Sequence, residues 1–341
     1  MTTLDSDQHP QHAPDQFTAE LHEREDALHA EEAISGRPYE LSAARRGGLF
    51  GELVRDKAGF VGVVFVGFLL LLAVFAPLVA PYDPSDGNLS NANLPPMWVS
   101  GGDSAHWFGT DSQGYDVLSR LIFGTRTSLL IGGAVVLLAG SFGVVIGLIS
   151  GYKGGKVDRL LMGWVDLQVA FPGLLLAIVI LSLVGGSVTS VIVVLAINGW
   201  MVYARMTRGV VLTVKELPYV EAAEMVGCRP KRVIFKHILP NLTSGLATLG
   251  VLELARIILA EAALSFLGLG IQFPQVSWGL DTARGGDYIF SNAWLVVFPG
   301  LALSLTVLSV NLLASWLRVV FDPQEREKRF AATATNGAKG T

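Results

Sequence analysis

The chain has a single cysteine, Cys228, in 341 residues, which excludes an internal disulfide and any metal site built on several thiolates. It is also short of charge. Asp, Glu, Lys and Arg make up 16% of the residues and hydrophobic residues 51%, against about 25% charged in ordinary soluble domains, so it is not composed like a soluble enzyme. A net charge of −4 provides no basic surface for nucleic acid. That total hides an asymmetry: residues 1–40 hold ten acids against Arg24 and Arg37, leaving the remainder at +4. A nucleotide-binding loop is missing too. Gly151-Tyr152-Lys153-Gly154-Gly155-Lys156 imitates one, but Ser150 stands where Gly is required and Val157 where Ser or Thr is. No span offers a nucleophile with its base or a metal-ligand cluster, which sets aside a membrane enzyme.

What the chain does have is long apolar runs. Residues 59–80 hold 22 positions without a charge, roughly 33 Å as a helix and enough to cross a bilayer. This run starts too far into the chain for a cleaved signal peptide and reads as an uncleaved span. Further runs at about 128–150, 160–183, 191–204, 242–267 and 293–317 predict an all-α integral membrane protein of six transmembrane helices. With both termini inside, 21 of the 25 Lys and Arg are cytoplasmic, Arg120, Arg126 and Arg284 are outside, and Arg256 lies within the bilayer. Residues 1–45 cannot bury a core and are expected to be a disordered acidic cytoplasmic tail. Its His9, His12, His22 and His29 have no accompanying ligand cluster, so no metal site is expected. Residues 46–323 form the membrane domain and 324–341 a second cytoplasmic tail.

Between Arg205 and Pro240 lie seven Lys or Arg. A charge at a span's centre costs roughly 2.5–3.5 kcal/mol, so 205–240 is a loop outside the bilayer. Within it, Glu221–Val226 favour helix, Gly227 suits a left-handed stop, and Pro230 suits the first turn of another helix. Glu221-Ala222-Ala223, the spaced Gly227 and Leu239-Pro240 resemble the EAA loop of the membrane subunits of ATP-binding-cassette importers. The general pattern prefers Ile where this chain has His237, but His237-Ile238-Leu239-Pro240-Asn241 is the form typical of the peptide and nickel branch. Two other segments resemble that branch: His106–Arg126, and Glu261–Gly270 with Ser277-Trp278-Gly279.

The resemblance implies a C-type permease of the dipeptide, oligopeptide and nickel class, with the type I importer permease fold, in a bacterial-type plasma (inner) membrane. It implies no activity as an enzyme and no cofactor in this chain. Its implied partners are the lipid bilayer, a second homologous permease, two cytoplasmic ATPase subunits that bind ATP and Mg, and an extracytoplasmic solute-binding protein. Glu221, Ala222, Ala223, Gly227, Leu239 and Pro240 would then couple the pathway to ATP hydrolysis.

Other residues carry expectations of their own. Asp166, near the inner end of the third span, is expected to pair with a basic neighbour, and Pro172 to kink that span. Glu253 and Arg256, three apart, share a helix face and can neutralise each other; with Glu261 they either line the pathway or meet the other permease, or else lock the bundle. The rival function is a proton-coupled secondary transporter, with Asp166, Glu253 and Glu261 as its relay. In the outer loop, 81–126, Asp111 and Asp116 are set opposite Arg120 and Arg126. That surface either meets the binding protein or closes the outer path, or is an interfacial helix braced by salt bridges. Gly143, Gly147 and Gly151 are spaced for close helix packing.

Overall fold

Asp56 caps α1 (Lys57–Val74), accepting a hydrogen bond from Gly59 N at 3.2 Å. The computed structural model describes Leu53 and residues 56–321; both expected tails and the four tail histidines lie outside the described residues. The apolar run expected at 59–80 is interrupted. Pro77 cannot continue the ladder, and after a break at Phe75 the chain forms only the short α2 (Ala76–Val79).

The second long helix, α3 (Val117–Lys153), is 37 residues long and starts 11 residues before the expected span. Asp116 starts it by accepting from Ser119 N at 2.8 Å. What was expected as one kinked span at 160–183 is two helices, α4 (Gly155–Val169) and α5 (Gly173–Val184), bent by 79°. Pro172 lacks a backbone donor and disfavours helical geometry in the residue before it, so the chain turns there instead of bending gently. Next comes α6 (Val188–Val214), opened by a reciprocal Ser187–Ser190 capping box. It continues ten residues past the expected end at Ala204, so the loop begins only after Val214.

Then come α7 (Pro218–Met225), α8 (Pro230–Val233) and a π-helical stretch, Ile234–Ile238, that runs straight into α9 (Leu239–Phe266). The last two are α10 (Trp278–Gly286) and α11 (Trp294–Phe321). Among the described residues four helices, α1, α3, α6 and α11, are long and apolar enough to cross a membrane, and the bent α4–α5 pair would make a fifth. With 28 residues α9 has the length, but it carries Glu253, Arg256 and Glu261.

The tightest packing is α3 against α6, and glycine makes it possible. A Cβ on Gly147 would sit 2.6 Å from the Ala204 carbonyl oxygen, and one on Gly151 would sit 2.8 Å from Val211 Cβ. The glycine spacing therefore serves close approach, as expected. Ile131 and Val135 of α3, Leu181 of α5, Val191 and Val194 of α6, and Ile257 and Leu264 of α9 are buried together in one core. On the outside, Leu78, Leu137, Leu160 and Leu183 are each at least 70% exposed, an apolar surface suited to lipid. Packed on α3, α6, α10 and α11, α9 holds the middle.

Candidate functional site

The segment between α6 and α9 is a helix–turn–helix. α7 starts with Pro218 in its first turn, and Gly227, at φ +83°, reverses the chain. There Gly227 N donates to Glu224 O at 2.9 Å and Cys228 N to Ala223 O at 3.1 Å. Pro230 opens α8, as the spacing predicted. One face of the pair is anchored: Val220 and Val233 are fully buried with Val211, Val214, Ile238 and Leu242. The opposite face is open. Glu221 and Ala222 are exposed and Ala223 is half-buried, while Met225 and Val226 are more than 80% exposed. Leu239 and Pro240 are the first residues of α9 rather than a loop exit, because the π-helical stretch continues the helix through them. His237 has its ring 6.1 Å from that of Tyr219, whose hydroxyl accepts from Asn241 Nδ2 at 3.0 Å.

Two contacts near this end, one from α7 to the bundle and one between bundle helices, were not legible in the sequence. Tyr152 OH, near the end of α3, donates to Glu224 Oε1 of α7 at 3.0 Å. Arg208 of α6 makes a two-pronged bond to Asp158 of α4, at 2.5 and 2.7 Å, and Ser150 Oγ of α3 donates to the same carboxylate at 2.5 Å. Asp166 pairs with Arg205 Nη2 at 2.6 Å, the basic neighbour expected for it.

Farther along, Arg256 Nε and Nη2 both reach Glu253 Oε2, at 2.8 and 2.6 Å, across the predicted three-residue spacing. Glu261 is 1% exposed, and its Oε1 accepts from Ser265 Oγ and Ser277 Oγ, each at 2.7 Å. The three acids named for a proton relay are thus each committed to different partners. Among the described residues no cluster of three or more His, Cys, Asp or Glu is placed to hold a metal ion.

At the opposite end the expected pairing of Asp111 and Asp116 with Arg120 and Arg126 is replaced by another. Arg120 is 3% exposed and pairs with Asp281 of α10, while its Nη1 donates to Pro84 O at 3.1 Å. Burial pushes the Asp281 carboxyl above the usual carboxylate range, and the Arg120 charge pulls the other way. Asp116, 2% exposed, accepts from Ser119 N and Ser119 Oγ and lies 2.9 Å from His106 Nδ1. The His106 ring stacks on Tyr82 at 4.7 Å. Asp111 accepts from Gln113 N and Tyr115 N, both at 2.9 Å, and Arg284 lies 3.8 Å from its other oxygen. Asp116 and Arg120 therefore brace residues 81–126 from within, with partners other than those expected. Asp281 stands 161 positions from Arg120, and no spacing rule links them.

Comparison with known proteins agrees with this architecture. Residues 143–327 match the family described as binding-protein-dependent transport system inner membrane component, and residues 49–96 match the N-terminal TM domain of oligopeptide transport permease C. The chain is 38% identical over 273 residues to a di/tripeptide transport system permease protein of Pseudomonas aeruginosa, covering 80% of this chain and 90% of that protein. It is 35% identical over 272 residues to an oligopeptide transport system permease protein of Bacillus subtilis, covering 80% and 87%. The fold is similar to a chain of the inward-facing MetNI methionine ABC transporter, with a TM-score of 0.50 and 19% identity over 59% of this chain and 96% of that one. The chain belongs to the family of binding-protein-dependent transport system inner membrane components, as a multi-pass permease subunit of an ABC transporter.

Proposed function

We propose that the chain is the C-type permease of an ATP-driven importer of dipeptides or oligopeptides in the plasma (inner) membrane. It forms half of the translocation pathway beside a second, homologous permease. Two cytoplasmic ATPase subunits bind ATP and Mg, and an external solute-binding protein delivers the cargo. The peptide assignment is supported by the relatives, which are named as di/tripeptide and oligopeptide permeases. In this reading α9 crosses the membrane and the bent α4–α5 pair crosses once, giving six crossings with both termini in the cytoplasm; the excess of Lys and Arg assigned inside supports that orientation.

One observation supports the coupling role above the others. α7 is a short helix held to the bundle by the fully buried Val220, yet it presents Glu221, Ala222, Met225 and Val226 outward. A rigid foot with an open face of small, apolar and acidic side chains suits a groove on an ATPase subunit. Closure of the ATPase dimer would move α7, and Val220 and Tyr152 would pass that movement to the long helices. Gly227 sets the turn, while Leu239 and Pro240 begin the span that receives the motion.

The test is purification of the tagged chain in mild detergent with its partners, followed by ATP hydrolysis and uptake in proteoliposomes. A second permease and ATPase subunits should co-purify. The Gly227→Val variant should assemble and hydrolyse ATP while importing little; full transport by this variant would remove the coupling assignment.

A further inference from the structure

We infer that the free edge of the Arg256 guanidinium receives the terminal carboxylate of the transported peptide, with Glu253 as the positioning residue that holds the guanidinium in place. This rests on the peptide-importer reading above. The observation behind it is an unusual division of exposure within one ion pair. The Glu253 side chain is 9% exposed and that of Arg256 is 50% exposed, so the anion is inside the protein and the cation faces out of it. They lie on α9, the helix already packed on α3, α6, α10 and α11. A half-exposed guanidinium here cannot be left to lipid tails without a cost of several kcal/mol, so water, cargo or protein covers it.

The geometry favours a carboxylate. Both contacts to Glu253 end on one oxygen, Oε2, and use Nε and Nη2. A guanidinium has five N–H groups in a flat fork. With Nε–H and one Nη2–H spent, the remaining three lie on Nη1 and the far side of Nη2, and Nη1 makes no hydrogen bond among the described residues. That edge can bind a carboxylate through two parallel bonds. The Glu253 carboxylate fixes the plane of the fork, which lowers the entropy lost when a ligand docks.

Two residues of α6 lie near this pair. Gly199 lies against the guanidinium: a Cβ built there would already be in van der Waals contact with Nη2, at 3.8 Å, so the glycine leaves space on that side that a larger side chain would fill. One turn on, Tyr203 is 2% exposed, lies within the electrostatic reach of both Glu253 and Arg256, and has a hydroxyl with no hydrogen-bond partner among the described residues. This buried hydroxyl is an unspent polar group inside the bundle near the ion pair.

The alternative occupant is an acid of the second permease, and the test separates the two. The complete purified importer is treated with phenylglyoxal, which modifies accessible arginines, and modification at Arg256 is measured by mass spectrometry. The reaction is run alone, with a dipeptide as the free acid, and with the same dipeptide as its C-terminal amide. The expected result is modification alone and with the amide, and a several-fold loss of modification with the free acid. No modification in the absence of peptide means a partner protein covers Arg256, and equal modification in all three samples means no carboxylate binds; either overturns the inference.

A second arm uses Glu253→Gln/Arg256→Gln, which removes both charges together and leaves no buried ion unpaired. Uptake of the free acid should fall about tenfold, equivalent to roughly 1.4 kcal/mol of recognition, with ATP hydrolysis retained; unchanged uptake overturns the inference. Peptide import by the wild type with Arg256 unprotected defeats this site alone, whereas import of some other solute and no peptide defeats the cargo reading itself.

Discussion

The two ends of this bundle are built by opposite means. At the end that carries α10, charged groups are buried and satisfied within the chain: Arg120 with Asp281 and Pro84 O, and Asp116 with His106 and Ser119. Where α7 and α8 pack on the bundle the interior is apolar, with Val220, Val233 and Ile238 fully buried, and the charged side chains of α7 and α8 are exposed. Buried ion pairs have strict geometry and are costly to break, so they hold a shape. Apolar contacts tolerate sliding, and exposed apolar residues invite a partner. In the proposed importer the first end would keep its form and the α7–α8 end would move as a foot on an ATPase subunit.

This contrast can be broken from either side. Asp281→Ala should have the largest effect, about 3–5 kcal/mol of lost stability, because it strands the buried Arg120 charge; the thermal unfolding midpoint of the purified complex reads it. A change below about 1 kcal/mol would show that water replaces the lost partner and that the α10 end is not locked. Val220→Ala removes two methyl groups from a fully buried site and should cost about 2 kcal/mol. If the α7 anchor is apolar as described, raised salt will leave that loss unchanged.

Gly227→Val should cost about 1–2 kcal/mol, from forcing a β-branched residue into positive φ. A Cβ there would meet nothing within 4 Å, so the cost is conformational and the fold survives, leaving the effect to appear in coupling. Gly227→Asn, which tolerates the left-handed region, should recover most of the lost transport. The smallest effect belongs to Tyr152→Phe, about 0.5 kcal/mol for an exposed hydrogen bond. Its sharper readout is the ratio of cargo moved to ATP hydrolysed, which should fall if Tyr152 and Glu224 relay the motion of α7.

The same contrast governs what could be read in advance. The α7–α8 end was legible because its signals are local: a helix-forming run, a glycine and a proline within ten residues, Glu221–Pro230. Glu253 and Arg256 were legible for the same reason, since three residues bring two side chains onto one helix face. The α10 end was misread. Asp111, Asp116, Arg120 and Arg126 were close enough in sequence to suggest a mutual pairing, but Arg120 reaches Asp281 instead. Even the apolar runs misplaced helix ends. Hydropathy marks where lipid is tolerated, while helix ends follow caps and prolines, so α3 starts at its Asp116 cap and α6 continues through Arg205 and Arg208 to Val214.

The sequence by itself determined the helical class, the left-handed turn at Gly227, the Glu253–Arg256 pair and the glycine stripe on α3. Each of these depends on the periodicity or backbone freedom of a few neighbouring residues. Only the tertiary structure decided the 79° turn between α4 and α5, the bond from Arg208 to Asp158, the union of Arg120 with Asp281, and which half of the Glu253–Arg256 pair faces outward. These depend on how whole helices lie against one another, and no local spacing encodes which distant carboxylate a guanidinium will meet.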